Sequence, residues 1–154
     1  MQITRCTKAD FDQILNDYSQ FWDHDRVTQL HHPTLINEFG DTAFVIKDGD
    51  KVAAYLFGFF SQTGPVGYTQ LISVRQGYRN RGLARQLYVH FEKIAREHGC
   101  KKLKAITSPV NKGSIAFHSS IGMMPTGADL EDGVPVIRDY SGPGRHRVVF
   151  IKEL

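Results

Sequence analysis

The sequence is short of cysteine and tryptophan, and it contains no long apolar run. Its two cysteines, Cys6 and Cys100, are too few for a disulfide framework and lack the spacing of a metal site. The expectation is two buried or half-buried free thiols in a reducing compartment, and no metal. The longest nearly unbroken apolar stretch, Val52 to Phe60, is nine residues. A membrane-spanning helix needs about 20, so no membrane segment is expected. The opening Met-Gln-Ile-Thr-Arg lacks the apolar stretch of a secretory signal, and a cytoplasmic protein is expected. No segment is biased enough in Pro, Ser or charge to be a linker, and internal repeats are absent. With 41% hydrophobic residues the chain is not of disordered composition. A length of 154 residues fits one domain over 1–154.

Charge is unevenly spread. The formal net charge is +3, but nine basic and two acidic residues between Arg75 and Lys104 give that window +7. The other residues carry ten basic and fourteen acidic side chains, hence −4. Such separation fits an anionic ligand in one place and a cationic one elsewhere, and it equally fits a solvated basic helix face.

Periodicity and punctuation give a coarse map. Gln2 to Arg5 reads as a strand, followed by a helix capped by Thr7 with Phe11, Ile14, Leu15 and Tyr18 at helical spacing. Pro33 fits the first turn of a short helix ending near Gly40. Thr42–Lys47 and Lys51–Ser61 read as strands joined by the Asp48-Gly49-Asp50 turn, and Val66–Val74 as another strand. A long amphipathic helix is expected from about Asn80 to His98, with Leu83, Leu87, Phe91, Ile94 and Ala95 on one stripe and Gly99 as its stop. A strand over 103–107, a helix over 111–121 and a final strand over 147–152 follow. The stretch from Pro125 to Gly144, rich in Gly, Pro and Asp, reads as loop. Strands on either side of the long helix imply a βαβ crossover, a mixed sheet and an α/β or α+β class.

The loop entering that helix, Ile72-Ser73-Val74-Arg75-Gln76-Gly77-Tyr78-Arg79-Asn80-Arg81-Gly82-Leu83-Ala84, carries the most chemistry. A helix start offers backbone N–H groups and partial positive charge. Gly82 and Ala84 remove bulk, and Arg79, Arg81 and Arg85 add full charge, which together suit a phosphate or pyrophosphate. Neither the Walker loop nor the dinucleotide-binding glycine pattern is present. Alone, the loop also fits an ordinary helix start with a glycine for packing.

Arg79-Asn80-Arg81-Gly82-Leu83-Ala84 resembles the Gln/Arg-x-x-Gly-x-Gly/Ala signature of the GCN5-related N-acetyltransferase (GNAT) superfamily. The resemblance continues through the helix and the strand around Leu103–Thr107 to Asn111-Lys-Gly-Ser114-Ile-Ala-Phe117-His118 and Ile121-Gly122-Met123. It implies a single GNAT-like domain with a mixed sheet of about six to seven strands, about four flanking helices and a splayed strand pair holding the cofactor. It also implies acetyl-CoA as donor. Backbone amides of Arg79, Asn80, Arg81, Gly82, Leu83 and Ala84, beside Arg85, would hold the pyrophosphate. Ile72, Ser73 and Val74 would pair with the pantetheine, and the Val74 N–H would polarise the acetyl carbonyl. Asn111 would hydrogen-bond the pantetheine arm, with Ser114 and Phe117 near it.

Many members place a Tyr where this chain has His118. An imidazolium is a competent acid for the departing thiolate; the other reading is that His118 only packs or contacts the pantetheine sulfur as a cofactor-binding residue. The acceptor amine must lose a proton before attack, yet the strand face with Tyr68, Gln70 and Ile72 carries no carboxylate. Asp23, Asp25, Glu38 and His24 lie in the region that walls the acceptor site in this superfamily. His31-His32 lacks a third metal ligand and reads as a surface pair. Asp129, Glu131, Asp132 and Asp139 read as a mobile acidic loop, and Tyr55, Phe57, Phe59 and Phe60 as core. The expected function is acetyl transfer to an amine acceptor by direct attack, and the alternative is a non-catalytic acyl-CoA sensor. A homodimer is compatible with the resemblance. Nucleic acid is not an expected partner, because few aromatics interleave with the basic residues.

Overall fold

The computed structural model describes residues 1–25 and 27–154. Its strands are β1 (Ile3–Arg5), β2 (Ala43–Asp48), β3 (Lys51–Phe60), β4 (Val66–Val74), β5 (Lys102–Thr107), β6 (Met124–Thr126), β7 (Asp129–Glu131), β8 (Val134–Val136) and β9 (Val148–Glu153). Its α-helices are α1 (Lys8–Asn16), α2 (Tyr18–Phe21), α3 (Thr34–Asn37), α4 (Leu83–Glu97) and α5 (Lys112–Ser120). Seven strands form a mixed sheet and β7–β8 a separate pair. Backbone contacts divide the chain into two compact units, residues 1–59 with 69–94, and residues 60–68 with 95–154. Within the first the strand order is β1-β2-β3-β4, and within the second β4-β5-β9-β6, because β4 begins in one unit and ends in the other. Among the described residues no helix is long and apolar enough to cross a membrane.

In the first unit, α1 starts at a reciprocal cap. The Thr7 hydroxyl accepts from the Asp10 N–H at 3.1 Å, and the Asp10 carboxylate accepts from the Thr7 N–H at 3.0 Å. The helix turns Phe11 and Ile14 into a core shared with Phe21, Leu35, Val45, Tyr55, Phe57 and Leu71. Leu15, expected on the same stripe, is exposed. Residues Val52 to Phe57 of β3 are fully buried, as a strand covered on both faces must be. β4 alternates instead: Gly67, Thr69 and Leu71 face inward, and Tyr68, Gln70 and Ile72 lie on the half-buried face.

Helix α4 begins at Leu83, three residues later than its apolar pattern suggests. Asn80 (φ 63°) and Gly82 (φ 76°) both adopt left-handed backbone, which no α-helix accommodates. Its buried stripe is Leu83, Leu87, Tyr88, Phe91 and Ala95. The helix ends at left-handed Gly99 (φ 88°), whose N–H donates to the Arg96 carbonyl, while the Cys100 N–H donates to the Ala95 carbonyl.

In the second unit β9 pairs antiparallel with both β5 and β6. Asn111 caps α5 by accepting from the Ser114 N–H at 3.1 Å. The stretch expected to be loop contains β6 and the β7–β8 hairpin, turned through Asp132 (φ 50°) and Gly133 (φ 77°). Two left-handed residues at a two-residue turn match the twist of antiparallel strands, so Asp129 and Glu131 belong to a strand rather than a mobile loop. Two single-turn helices, α2 and α3, bring the helix count to five.

One ion pair holds the first unit at the end of β4. Arg75, only 7% exposed, donates to the Asp17 carboxylate at 2.8 Å, to the Val52 carbonyl at 2.7 Å and to the Gln13 side-chain oxygen at 3.3 Å. Its guanidinium lies 4.8 Å from the Phe21 ring centre. Removing Asp17 strands a buried cation, although that carboxylate is itself partly solvated. Asp17→Ala is expected to cost about 2 kcal/mol, against under about 0.5 kcal/mol for Asp12→Ala in the exposed Lys8 pair. Urea unfolding of both variants measures the difference.

Candidate active site

The turn between β4 and α4 is built from the backbone. Arg75 leaves β4 with its N–H donated to the Ala53 carbonyl of β3 at 2.8 Å. Successive N–H groups of an extended strand point to opposite edges, so the Val74 N–H faces away from β3. A short 3₁₀ turn over Gln76–Tyr78 follows, then extended Arg79 (φ −66°, ψ 158°). Left-handed Asn80 and Gly82 flank Arg81 before the helix starts. The turn ends at the N-terminus of α4, where the first backbone N–H groups have no partner inside the helix. A methyl group built on Gly82 would meet no atom within 4 Å. Glycine is therefore required there by its left-handed φ, and the space beside it is open to a ligand.

The arginines of the turn divide their work. Arg81 is exposed, with its guanidinium 5.1 Å from the Tyr78 ring centre, and Tyr78 donates its hydroxyl to Asp48 at 2.7 Å. Arg79 folds back, donating Nε to the Val74 carbonyl at 3.2 Å and Nη2 to the Phe21 carbonyl at 3.1 Å. Arg75, counted in the basic window, is buried in its pair with Asp17. The window's formal charge therefore overstates what an anion would meet.

In the second unit the expected pantetheine residues share one helix. The Asn111 side-chain oxygen is committed to capping α5, a task that does not use its NH₂. His118 is buried, with Nδ1 2.8 Å from the Ser114 carbonyl and 3.2 Å from the Ser114 hydroxyl. Its ring stacks on Phe150, with centres 5.1 Å apart at 17°, and meets Phe117 edge-on. Burial lowers the His118 pKa below the ordinary 6.5, partly opposed by the Ser114 hydrogen bond. At neutral pH it is an uncharged imidazole protonated on Nδ1.

The expected acceptor residues are dispersed. Asp23, Asp25 and Glu38 are all exposed, and among the described residues no hydrogen bond or ion pair joins them. Asp23 lies 3.8 Å from His24 Nε2. Beside them is a polar network that sequence reasoning missed. His31, expected at the surface, is buried and brings Nδ1 to 2.8 Å from the Val27 carbonyl, so that nitrogen carries the proton. Its Nε2 then accepts from the Tyr55 hydroxyl at 2.7 Å, and Tyr55 accepts from Trp22 Nε1 at 2.7 Å. Every polar atom of the chain Trp22–Tyr55–His31–Val27 is satisfied, as burial demands. Burial lowers the His31 pKa and raises that of Tyr55. No local signal marks this network, because its members are distant in sequence and meet only through packing. Among the described residues no cluster of three or more His, Cys, Asp or Glu could hold a metal.

A model of the acetyltransferase (GNAT) family matches residues 9–123. Comparison with curated proteins gives no match. Similar solved structures include a ribosomal-protein-alanine N-acetyltransferase from Brucella melitensis, 22% identical over all of both chains with a TM-score of 0.70. The ribosomal-protein-S18-alanine N-acetyltransferase from Escherichia coli is 17% identical, with 99% of this chain and 92% of that one covered and a TM-score of 0.71. An aminoglycoside 6′-N-acetyltransferase complexed with coenzyme A is 13% identical, with 99% and 97% covered and a TM-score of 0.68. At these identities the likeness establishes a shared fold.

Two measurements check the local chemistry. Gly82→Ala forces an L-residue into left-handed backbone and is expected to lower stability by about 1–2 kcal/mol in urea unfolding. The second concerns pH. Above 6.5 His31 is neutral folded and unfolded, so its burial carries no proton-linked cost. Below 6.5 the unfolded chain binds a proton that the folded chain refuses, and stability falls on acidification by up to about 1.4 kcal/mol per pH unit. Thermal unfolding from pH 7.5 to 5.0 should show a shallower acid-side slope for His31→Gln than for the unmodified chain, with His118 supplying a parallel loss in both.

Proposed function

The chain belongs to the acetyltransferase (GNAT) family and is an acetyl-CoA-dependent acyltransferase; we propose that it moves the acetyl group to a primary amine by direct attack in a ternary complex. The observation that carries this reading is the Arg79–Ala84 turn. It carries left-handed Asn80 and Gly82, with open space beside Gly82, at the start of a fifteen-residue helix whose first N–H groups have no partner inside the helix. Acetyl-CoA supplies an activated thioester when bound.

In this reading the amides of Arg79 to Ala84 hold the pyrophosphate, aided by the charges of Arg81 and Arg85 and by the dipole of α4. The backbone of Ile72, Ser73 and Val74 lines the pantetheine arm. The Val74 N–H, directed away from β3, donates to the acetyl oxygen as negative charge builds there, an effect commonly of about 3 kcal/mol for one such donor. Asn111 donates its amide NH₂ to the arm, with Ser114 and Phe117 beside it. His118 is the proposed proton donor to the departing thiolate. Its lowered pKa makes the imidazolium a stronger acid and a scarcer one. The exposed carboxylates Asp23, Asp25 and Glu38 attract a cationic acceptor, which must shed its proton before attack. Peptides beginning with alanine and aminoglycosides are the first acceptors to try, because they match the activities of the structural neighbours.

Titration calorimetry with acetyl-CoA should give saturable binding to the unmodified chain and none to Gly82→Glu, which fills the open space with an anion. Equal affinity for both proteins sinks the pyrophosphate assignment. With an acceptor in hand, His118→Gln is expected to lower kcat by about 10²-fold or more, leave the KM for acetyl-CoA unchanged and alter the basic limb of the kcat–pH profile. An unchanged profile would instead mean that solvent protonates the thiolate.

A further inference from the structure

We infer that Arg79 is a positioning residue, coupling occupancy of the phosphate turn to the position of the Trp22–Asp25 segment through a shared grip on the Phe21 carbonyl. The inference rests on the acetyl-CoA reading above. Phe21 is the last residue of α2, so its carbonyl has no partner inside the helix. It accepts instead from Arg79 Nη2 at 3.1 Å and from the Ser73 hydroxyl at 2.9 Å. One donor is the first residue of the phosphate turn, and the other sits at the end of β4. Arg79 Nε also binds the Val74 carbonyl at 3.2 Å, so one planar guanidinium joins β4 to α2. The next residue is Trp22, whose indole N–H donates to Tyr55 at 2.7 Å. Asp23, His24 and Asp25 follow directly.

A planar fork with fixed donor directions transmits displacement. When the turn closes on a pyrophosphate, the Arg79 backbone moves with it and its guanidinium carries the Phe21 carbonyl. The α2 terminus then shifts against the anchor that Tyr55 provides. The acceptor wall thus takes its final position only when the cofactor turn is filled. By linkage, a ligand bound at that wall strengthens cofactor binding by the same factor.

Trp22 is the single tryptophan in the sequence, so its fluorescence reports this segment without any acceptor. Excitation at the red edge of tryptophan absorption avoids the adenine. Coenzyme A added to the unmodified chain should change Trp22 intensity or emission maximum with the same midpoint that calorimetry gives. At coenzyme A concentrations that calorimetry shows to saturate each protein, Arg79→Met and Ser73→Ala should lose most of the fluorescence response, and Arg79→Lys should recover little, because an ammonium cannot span both carbonyls in one plane. Near-ultraviolet circular dichroism without ligand verifies that each variant is folded. A full response in both Arg79→Met and Ser73→Ala overturns the coupling, as does binding to the unmodified chain with no response. Failure of calorimetry to detect coenzyme A binding to the unmodified chain overturns the cofactor reading, and the coupling with it.

Discussion

Arg75 is a cation in a place where cations are expensive, and the first unit is arranged to satisfy it. Its guanidinium has a carboxylate from Asp17, a carbonyl from Val52, an amide oxygen from Gln13 and the face of Phe21. Those partners come from α1 and its C-cap Asp17, from β3 and from α2, so a desolvated charge one residue beyond β4 requires all three elements to be in position. Gln13 serves twice, accepting also from the Val52 N–H at 2.6 Å. The same residue opens the turn between β4 and α4: its N–H closes onto β3 and its carbonyl accepts from the Tyr78 N–H. Removing a partner of such a group costs more than the pair contributes. The shape of the turn is therefore a consequence of core assembly, and does not depend on the loop residues alone.

Charge counting is a poor guide to what this turn offers an anion. Arg75 is spent on the interior and Arg79 on two backbone carbonyls, while Arg81 remains outside over Tyr78. The peptide dipoles at the start of α4 are invisible to formal charge altogether. The −4 outside the window is also scattered, since the carboxylates nominated for the acceptor stand apart at the surface.

What the sequence revealed follows a physical division. Features fixed within a few residues were legible: the Thr7 cap, the bounds of β4 and the glycine stop of α4. The family was legible in the motif at the turn between β4 and α4, but the helix start was placed too early, because an apolar stripe cannot show that Asn80 is left-handed. The β7–β8 hairpin was missed although Asp132-Gly133 is a standard two-residue turn signal, since only three residues on each side alternate. His31 was misplaced at the surface for a different reason. Its partners lie four and twenty-four residues away, and only tertiary packing brings a phenol to its ring. Arg75 is the same case, with Asp17 fifty-eight residues distant.

The two cysteines are both free and buried. Burial raises the Cys6 thiol to about 12, and raises Cys100 in the same direction. Thiolates are what exchange with thioesters, and a thiol held protonated is inert toward them. A chain that handles acetyl-CoA faces a hazard that other folds escape, the capture of its own cargo by its own sulfur. Burial of both sulfurs away from solvent works against that side reaction in this chain.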